Sequence, residues 1–321
     1  MRALFSGEDG VRLDPKLVCP EPTGDEVLIA PIVVGVSWTD LCIARGELPF
    51  EGVIGRECVG RVEAVGPNGD KNLIGQRVVC EIATRCGKCE LCRGGIAGHC
   101  QNRTVMGSRG RNGCLADWFV LPGSNCRVVP EGLDDDRAVF AISVAEALQV
   151  ARQITVQDRP YITVVGDGTS GLLVAQALEP LNASVRVVGQ NPERMALCER
   201  WGIKHRPIGE IGRRSDQDVV VDCSGTSAGF GLSMALLRPR GQLVLKAQVA
   251  GARGIDLGLM VRKEIHAIGS DQGPLGEALR SLLEERFDVI SLIGRRMRLN
   301  DGSKILQMAA SGESGKVLVT P

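Results

Sequence analysis

The chain has 321 residues, 44% of them hydrophobic, which suits two cores of ordinary size rather than one. Lys plus Arg and Asp plus Glu each number 38, so the formal net charge is zero, no run of like charge offers a field, and nucleic acid and anionic membrane surfaces are excluded as partners. The N-terminus, Met1-Arg-Ala-Leu-Phe-Ser-Gly-Glu-Asp, lacks the apolar stretch of a signal peptide, and no run of about eighteen apolar residues follows; a soluble cytoplasmic protein is expected.

Residues 27–36 and 53–65 are rich in Val and Ile, interrupted by Gly and bounded by turns, and read as strands. With Gln76-Arg-Val-Val-Cys-Glu-Ile and Ala116-Asp-Trp-Phe-Val-Leu they predict a β-rich N-terminal domain. Into it is inserted Cys86-Gly-Lys-Cys89-Glu-Leu-Cys92, followed by Cys100: four thiols within residues 86–100. Two-residue gaps let a chain turn back so that neighbouring sulfurs meet one ion, and four thiolates close a tetrahedral Zn²⁺ shell with no open position for chemistry. One zinc ion held by Cys86, Cys89, Cys92 and Cys100 is therefore predicted to be structural. The chain has twelve cysteines, but the other eight are scattered singly and a chain this long has no need of disulfide staples.

From Asp134 the texture changes to alternating helix and strand: an apolar helix over 138–151, a strand over 161–165, a helix over 172–178 and a strand over 185–188. Strands over 218–222 and 241–245 continue the series. Ile305–Ala310 and Lys316–Thr320 form an appended helix and strand. The stretch Tyr161-Ile-Thr-Val-Val-Gly166-Asp-Gly168-Thr-Ser-Gly171 sets Gly-x-Gly-x-x-Gly between a predicted strand and a predicted helix. Gly166 makes the tight turn, Gly168 lets the backbone approach a pyrophosphate, Gly171 allows close helix–strand packing, and the helix N-terminus offers N–H groups to phosphates. Asp167 is an objection inside this loop, and its carboxylate is expected to point away from a bound phosphate. The next strand ends Val187-Val-Gly189-Gln190-Asn191-Pro-Glu-Arg194, with no acid at Gly189 or Gln190 for the ribose hydroxyls that NAD presents. With Gln190 and Arg194 there instead, a 2′-phosphate would be tolerated, which leans the reading to NADP over NAD; in a shifted register Glu193 would contact a ribose.

These features, with the closing Gly315-Lys-Val-Leu-Val-Thr, resemble the medium-chain dehydrogenase/reductase family of zinc-containing alcohol dehydrogenases over nearly the whole chain. The resemblance implies an α/β fold with a GroES-like β-rich catalytic domain (1–132 and 289–321, carrying the zinc lobe) and a Rossmann doubly wound parallel-sheet domain (133–288). It also implies an NAD(P)-dependent oxidoreductase that moves hydride between an alcohol and a carbonyl, and a homodimer joined through edge strands of the nucleotide domain. Val221-Asp-Cys-Ser-Gly225 resembles the family's stretch near the nicotinamide, or is a plain strand-end turn.

The resemblance breaks where the catalytic zinc should be. The family's Cys ligand in a Gly-x-Cys-Gly-Thr-Asp-like stretch is replaced by Ser37 in Gly35-Val-Ser37-Trp38-Thr39-Asp40; the His of Gly-His-Glu is Arg56 in Gly55-Arg56-Glu57; the third ligand position matches Ile142. A hydroxyl is a poor zinc ligand, and isoleucine and arginine are none. A guanidinium about 4 Å from a divalent ion would be opposed by roughly 8 kcal/mol at an effective dielectric of about 20. Cys42 and Cys58 flank these stretches and read as small buried hydrophobes; His99, His205 and His266 lack ligand spacing and read as surface or lobe residues. Charge developing on a substrate oxygen would then be met by Arg56, with Ser37 and Thr39 as hydroxyls that orient or relay a proton and Glu57 holding Arg56 or another base. In the contrary reading, Arg56 fills a vacated cavity and pairs with Asp40 or Glu57. An arginine in the pocket points to a polar or anionic small-molecule substrate, and three Trp, one Tyr and six Phe in the whole chain argue against a ring-lined pocket. Two other readings stay open: a non-catalytic relative that binds nucleotide as a sensor or interaction protein, and a metal-dependent dehydrogenase with unusual ligands.

Overall fold

The computed structural model describes residues 1–155, 159–181, 183–212, 214–247, 257–312 and 315–321. The chain divides into two compact units, Met1–Ile142 with Leu275–Pro321, and Ser143–Pro274.

The first unit opens with a hairpin the sequence reading did not include, β1 (Ala3–Gly7) and β2 (Gly10–Asp14), whose turn uses Gly10 at φ 87. It continues through β3 (Glu26–Gly35), α1 (Trp38–Ala44), β4 (Gly52–Val53), β5 (Glu57–Val65), β6 (Arg77–Cys80), α2 (Glu90–Arg93), β7 (Val105–Met106), β8 (Gly110–Arg111), β9 (Phe119–Pro122), β10 (Cys126–Val128) and α3 (Asp135–Ala138). Helix α4 (Ala141–Gln153) carries the chain into the second unit. There it forms β11 (Tyr161–Val165), α5 (Thr169–Leu178), β12 (Ser184–Gly189), α6 (Pro192–Arg200), β13 (Lys204–Pro207), β14 (Gln217–Asp222), α7 (Ser227–Leu236), β15 (Leu237–Leu245), α8 (Gly258–Lys263) and β16 (His266–Gly269). The tail returns to the first unit as α9 (Leu275–Leu283), β17 (Ile293–Arg298), α10 (Lys304–Ala310) and β18 (Lys316–Thr320).

In the first unit the main sheet runs β10-β6-β5-β3-β18-β17, and β9 pairs with the opening half of β3. β3 is long enough to serve three partners because its apolar residues stay buried along its whole length: Val27, Ile29, Val33 and Val34 are all sealed from solvent. β18 lies antiparallel to the end of β3 with Leu318 opposite Gly35, so the last strand of the chain is stitched beside the residues that lead into Ser37. In the second unit the order β13-β12-β11-β14-β15-β16 is all parallel, the 3-2-1-4-5-6 arrangement of a doubly wound Rossmann sheet. Its central strands are buried on both faces (Ile162, Val164, Val165, Val187, Val188, Val220, Val221, Leu243 and Val244), which is why they read as continuous Val and Ile runs rather than alternating ones.

The α/β fold, a β-rich domain plus a doubly wound one, is as the sequence implied. The unit boundaries fall at 142/143 and 274/275, not at 132/133 and 288/289. Arg77 pairs with Asp135 and Arg296 with Asp136, and Phe140 is fully buried, so the segment 133–140 is anchored in the first unit before α4 begins at Ala141. α9, strongly amphipathic with Leu275, Ala278, Leu279 and Leu282 buried, belongs to the same unit. Among the described residues no helix is long and apolar enough to cross a membrane.

Candidate functional site

The four cysteines meet as their spacing required. Cys89 Sγ lies 3.4 Å from Cys92 Sγ and 3.7 Å from Cys100 Sγ, Cys100 Sγ lies 3.5 Å from Cys86 Sγ, and all four sulfurs fall within 4.8 Å of one another. Zn–S bonds of about 2.3 Å in a tetrahedron place sulfurs about 3.8 Å apart, so the constellation fits one zinc ion. The Lys88 and Cys89 N–H groups bond to the Cys86 sulfur and pull its thiol down to about 6, toward the thiolate that binds metal. Turn geometry supplies those donors: Gly87 sits at φ 70, and α2 starts at Glu90 with Cys89 as its N-cap.

The replaced-ligand site is built around the start of α1. Ser37 caps that helix: its N–H and Oγ donate to Asp40 Oδ2 at 2.8 and 2.7 Å, and its Oγ accepts from Asp40 N at 3.3 Å, a closed capping box. The Ser37 hydroxyl is therefore engaged in holding the helix start. Asp40 is fully buried, and its other oxygen accepts from Gly55 N at 2.9 Å. Burial pushes the Asp40 carboxyl up, against the pull of the Ser37 and Gly55 donors and of the Arg56 charge. By gripping both Ser37 and Gly55, Asp40 fixes the α1 entry against the β5 entry. Gly55 itself has φ 101, and a methyl on it would come within 2.5 Å of Leu115 N, so the turn delivering Arg56 requires glycine.

Arg56 leaves that turn half-buried and donates from Nη1 to Thr39 Oγ1 at 2.7 Å. Arg56 and Thr39 are thus brought together as the sequence suggested. Glu57 pairs with Lys316: its Oε2 lies 2.6 Å from Lys316 Nζ, with both side chains almost wholly buried and the ammonium 5.5 Å from the Phe140 ring centre. Lys316 is the base that the expected role of Glu57 left unnamed. A methyl on Gly35 would lie 2.5 Å from Lys316 Cε, so the Gly35 gap is what admits the lysine. Ile142 is buried in α4. Cys42 is pushed up to about 11, chiefly by burial, and the buried Cys58 is raised well above the usual thiol range by its contacts with Cys114 and by burial; both stay protonated packing residues. His99 and His266 are exposed and His205 is half-buried.

In the second unit Gly166, at φ 110, follows β11 and donates its N–H to Val188 O at 2.8 Å. A methyl on Gly171 would lie 1.9 Å from Gly166 O, so the third glycine is needed for close packing. A methyl on Gly168 would meet no atom within 4 Å, and Gly168 caps the ten-residue α5 with no side-chain acceptor over its first N–H groups. The loop is open where a pyrophosphate has to approach, and its residues fit a dinucleotide. Gln190 is exposed just past β12, and Arg194 lies in the first turn of α6, where its N–H donates to the capping Asn191 Oδ1 at 3.1 Å.

Sequence reading missed two ionisable features of this unit. Lys246, following β15, pairs with Glu146 of α4 at 2.8 Å, 100 residues away in sequence. Asp222 is fully buried, with Oδ1 accepting from Ser224 N and Oγ and with Oδ2 lacking a hydrogen-bond partner among the described residues; burial raises its pKa.

Residues 23–131 match the model of the alcohol dehydrogenase GroES-like domain. The chain is 26% identical to the L-threonine 3-dehydrogenase of Anaeromyxobacter sp. (strain K), over 99% of this chain and 98% of that one. It is 25% identical to the L-threonine 3-dehydrogenase of Escherichia coli (strain K12 / DH10B), over 100% and 99%. Two solved structures share the fold: an alcohol dehydrogenase from E. coli CFT073 complexed with NADH (TM-score 0.88, 20% identity) and a zinc-binding dehydrogenase from Sinorhizobium meliloti 1021 bound to NADP (TM-score 0.87, 22% identity). Each likeness covers 100% of this chain and 99% of the other. With an alcohol dehydrogenase GroES-like domain over residues 23–131 and a likeness to dehydrogenases over nearly its whole length, the chain is similar to the zinc-containing alcohol dehydrogenases of the medium-chain dehydrogenase/reductase family, which supports an alcohol dehydrogenase-like oxidoreductase.

Proposed function

We propose that this protein is an NAD(P)-dependent alcohol or carbonyl oxidoreductase that keeps one structural zinc in its cysteine knot and works without a catalytic zinc. The observation that carries the reading is the Arg56–Thr39 hydrogen bond of 2.7 Å, a fixed cation joined to a hydroxyl where the family resemblance expects a metal ligand and its neighbour. The intact glycine loop supports retention of the cofactor. A bound nicotinamide dinucleotide would supply or accept the hydride, held by Gly166, Gly168, Gly171 and the N–H groups that open α5. Arg56 would donate to the substrate oxygen as negative charge grows there, and a guanidinium does so with its charge fixed across the working pH range. The Thr39 hydroxyl, aligned by Arg56, would relay a proton from solvent to that oxygen during reduction, regaining one from water as it gives one, and would pass it back to solvent during oxidation. The Asp40 and Lys316–Glu57 clusters are positioning groups: one fixes the α1 and β5 turns, the other neutralises charge beneath them.

The guanidinium also favours a polar or anionic substrate over a plain hydrocarbon alcohol. A homodimer through the edge of the parallel sheet, which ends at β16, belongs to the same proposal and is checked by sedimentation. The replacement of three ligand positions together favours a second reading, a nucleotide-binding relative without turnover.

Titration of the full-length protein with NADH and NADPH, followed by fluorescence, separates the readings at the first step. Micromolar saturation supports the oxidoreductase and justifies a substrate screen; binding with no turnover on any alcohol or carbonyl supports the second; no binding by either removes both. Elemental analysis should give one zinc per chain, and two would revive a metal at the replaced site.

A further inference from the structure

The adenosine end of the nucleotide site lacks an acid at the end of β12, yet the structure puts one there from another direction. Asp167, the residue after the first glycine of the loop, turns its side chain across to the end of β12. Its Oδ2 accepts from Gln190 N at 2.8 Å and from Asn191 N at 2.7 Å. Gly189 makes this possible: a methyl there would lie 2.4 Å from Asp167 Oδ2 and 2.5 Å from its Cβ and Cγ, so only glycine admits the carboxylate. The pair Asp167 and Gly189 therefore exchanges the usual arrangement, an acid on the strand end and a small residue in the loop, for its reverse.

We propose that Asp167 accepts the hydroxyls of the adenosine ribose and makes this chain select dinucleotides with an unphosphorylated ribose, NAD(H) over NADP(H). The inference rests on the dinucleotide-binding reading above and reverses the lean toward NADP that Gln190 and Arg194 suggest in sequence. Two backbone N–H groups past the strand end are the natural cradle for a 2′-phosphate, and both are consumed by Asp167 Oδ2. The carboxylate adds a negative charge where the phosphate would bring more of the same sign. Its other oxygen makes no hydrogen bond to protein among the described residues, which leaves lone pairs for a vicinal diol. Arg194 in the first turn of α6 and Arg206 of β13, registered against Val188, are cations that argue the other way, and the experiment sets them against Asp167.

Dissociation constants for NADH and NADPH on the full-length protein should differ by at least about tenfold in favour of NADH, as loss of a hydrogen bond to a charged acceptor implies. AMP should displace NADH at lower concentration than adenosine 2′,5′-bisphosphate does, a comparison that needs no variant. In Asp167→Asn the amide oxygen can still accept the two N–H groups but the charge is gone, and the NADH preference should shrink to about threefold or less, mainly because NADPH binds better. Gly189→Ala should expel the carboxylate and weaken NADH. Equal or tighter NADPH binding by the wild-type protein, or an unchanged ratio in a folded Asp167→Asn, overturns the assignment and leaves the oxidoreductase reading standing. Absence of binding by both dinucleotides overturns the nucleotide site itself and this assignment with it.

Discussion

Arg56 and Thr39 were legible as a pair because the motif around each is intact apart from the ligand. What could not be read was the division of labour among their neighbours. Ser37 is the obvious hydroxyl in sequence, and it is spent on the α1 cap with Asp40; Glu57 sits beside Arg56 in the chain, and it meets Lys316. Arg56 leaves the turn before β5 while Glu57 is the first residue of the strand, so neighbours in sequence meet different partners in space. Arg56→Ala, assayed with a substrate from the screen, should lower kcat about a hundredfold or more, the scale of a lost oxyanion donor. Thr39→Val should cost less, and it should change the pH profile of kcat if the hydroxyl relays a proton. Unchanged turnover in Arg56→Ala would remove the guanidinium from the mechanism. Lys316→Met should act on stability: it removes the ammonium beside the buried Glu57 carboxylate, a loss of about 3–5 kcal/mol, read as a fall in the urea midpoint.

At the level of elements, the cysteine lobe and the glycine loop were both readable from spacing, because short loops bring their own ends together without help from the rest of the fold. The lobe consists of one turn of α2 and tight turns at Gly87 and Gly95, and it has few buried apolar side chains to hold it. Its order should depend on metal. Cys89→Ser or a strong chelator should remove the zinc and open residues 86–100 to proteolysis, while NADH affinity is retained because the loop at Gly166 belongs to a separate unit. Limited proteolysis with and without chelator checks this, and an unchanged cleavage pattern would refute a structural role for the ion. The hairpin of β1 and β2 and the edge strands β13 and β16 were illegible for the opposite reason. β2, β13 and β16 are short and largely out of the core, with no apolar run, and they exist because a neighbouring strand offers an edge to pair with; β1 is buried but only five residues long.

For the whole molecule, acid is the condition under which the charged network should fail. Burial raises the carboxyls of Asp117 and Glu26, but bonds to Arg2 and Arg111 outweigh it, and both carboxyls are held below their ordinary values. A carboxylate depressed in the folded state contributes stability above its unfolded pKa, near 4, and loses it as pH falls through the folded value. The buried Asp40, raised in the folded state, has the opposite sign and softens the loss. The melting temperature should therefore fall as pH drops below about 4, and less steeply in Asp117→Asn, which a thermal scan against pH measures. Sequence by itself determined the α/β plan, the meeting of the four cysteines and the glycine loop between β11 and α5, since each depends on residue types at short, fixed spacing. Tertiary structure alone decided which charges meet: Glu57 with Lys316, Glu146 with Lys246, and Asp167 with the end of β12. Those partners lie 259, 100 and 23 residues apart. No local pattern encodes such pairings, because strand register and the space left by Gly35 and Gly189 determine them.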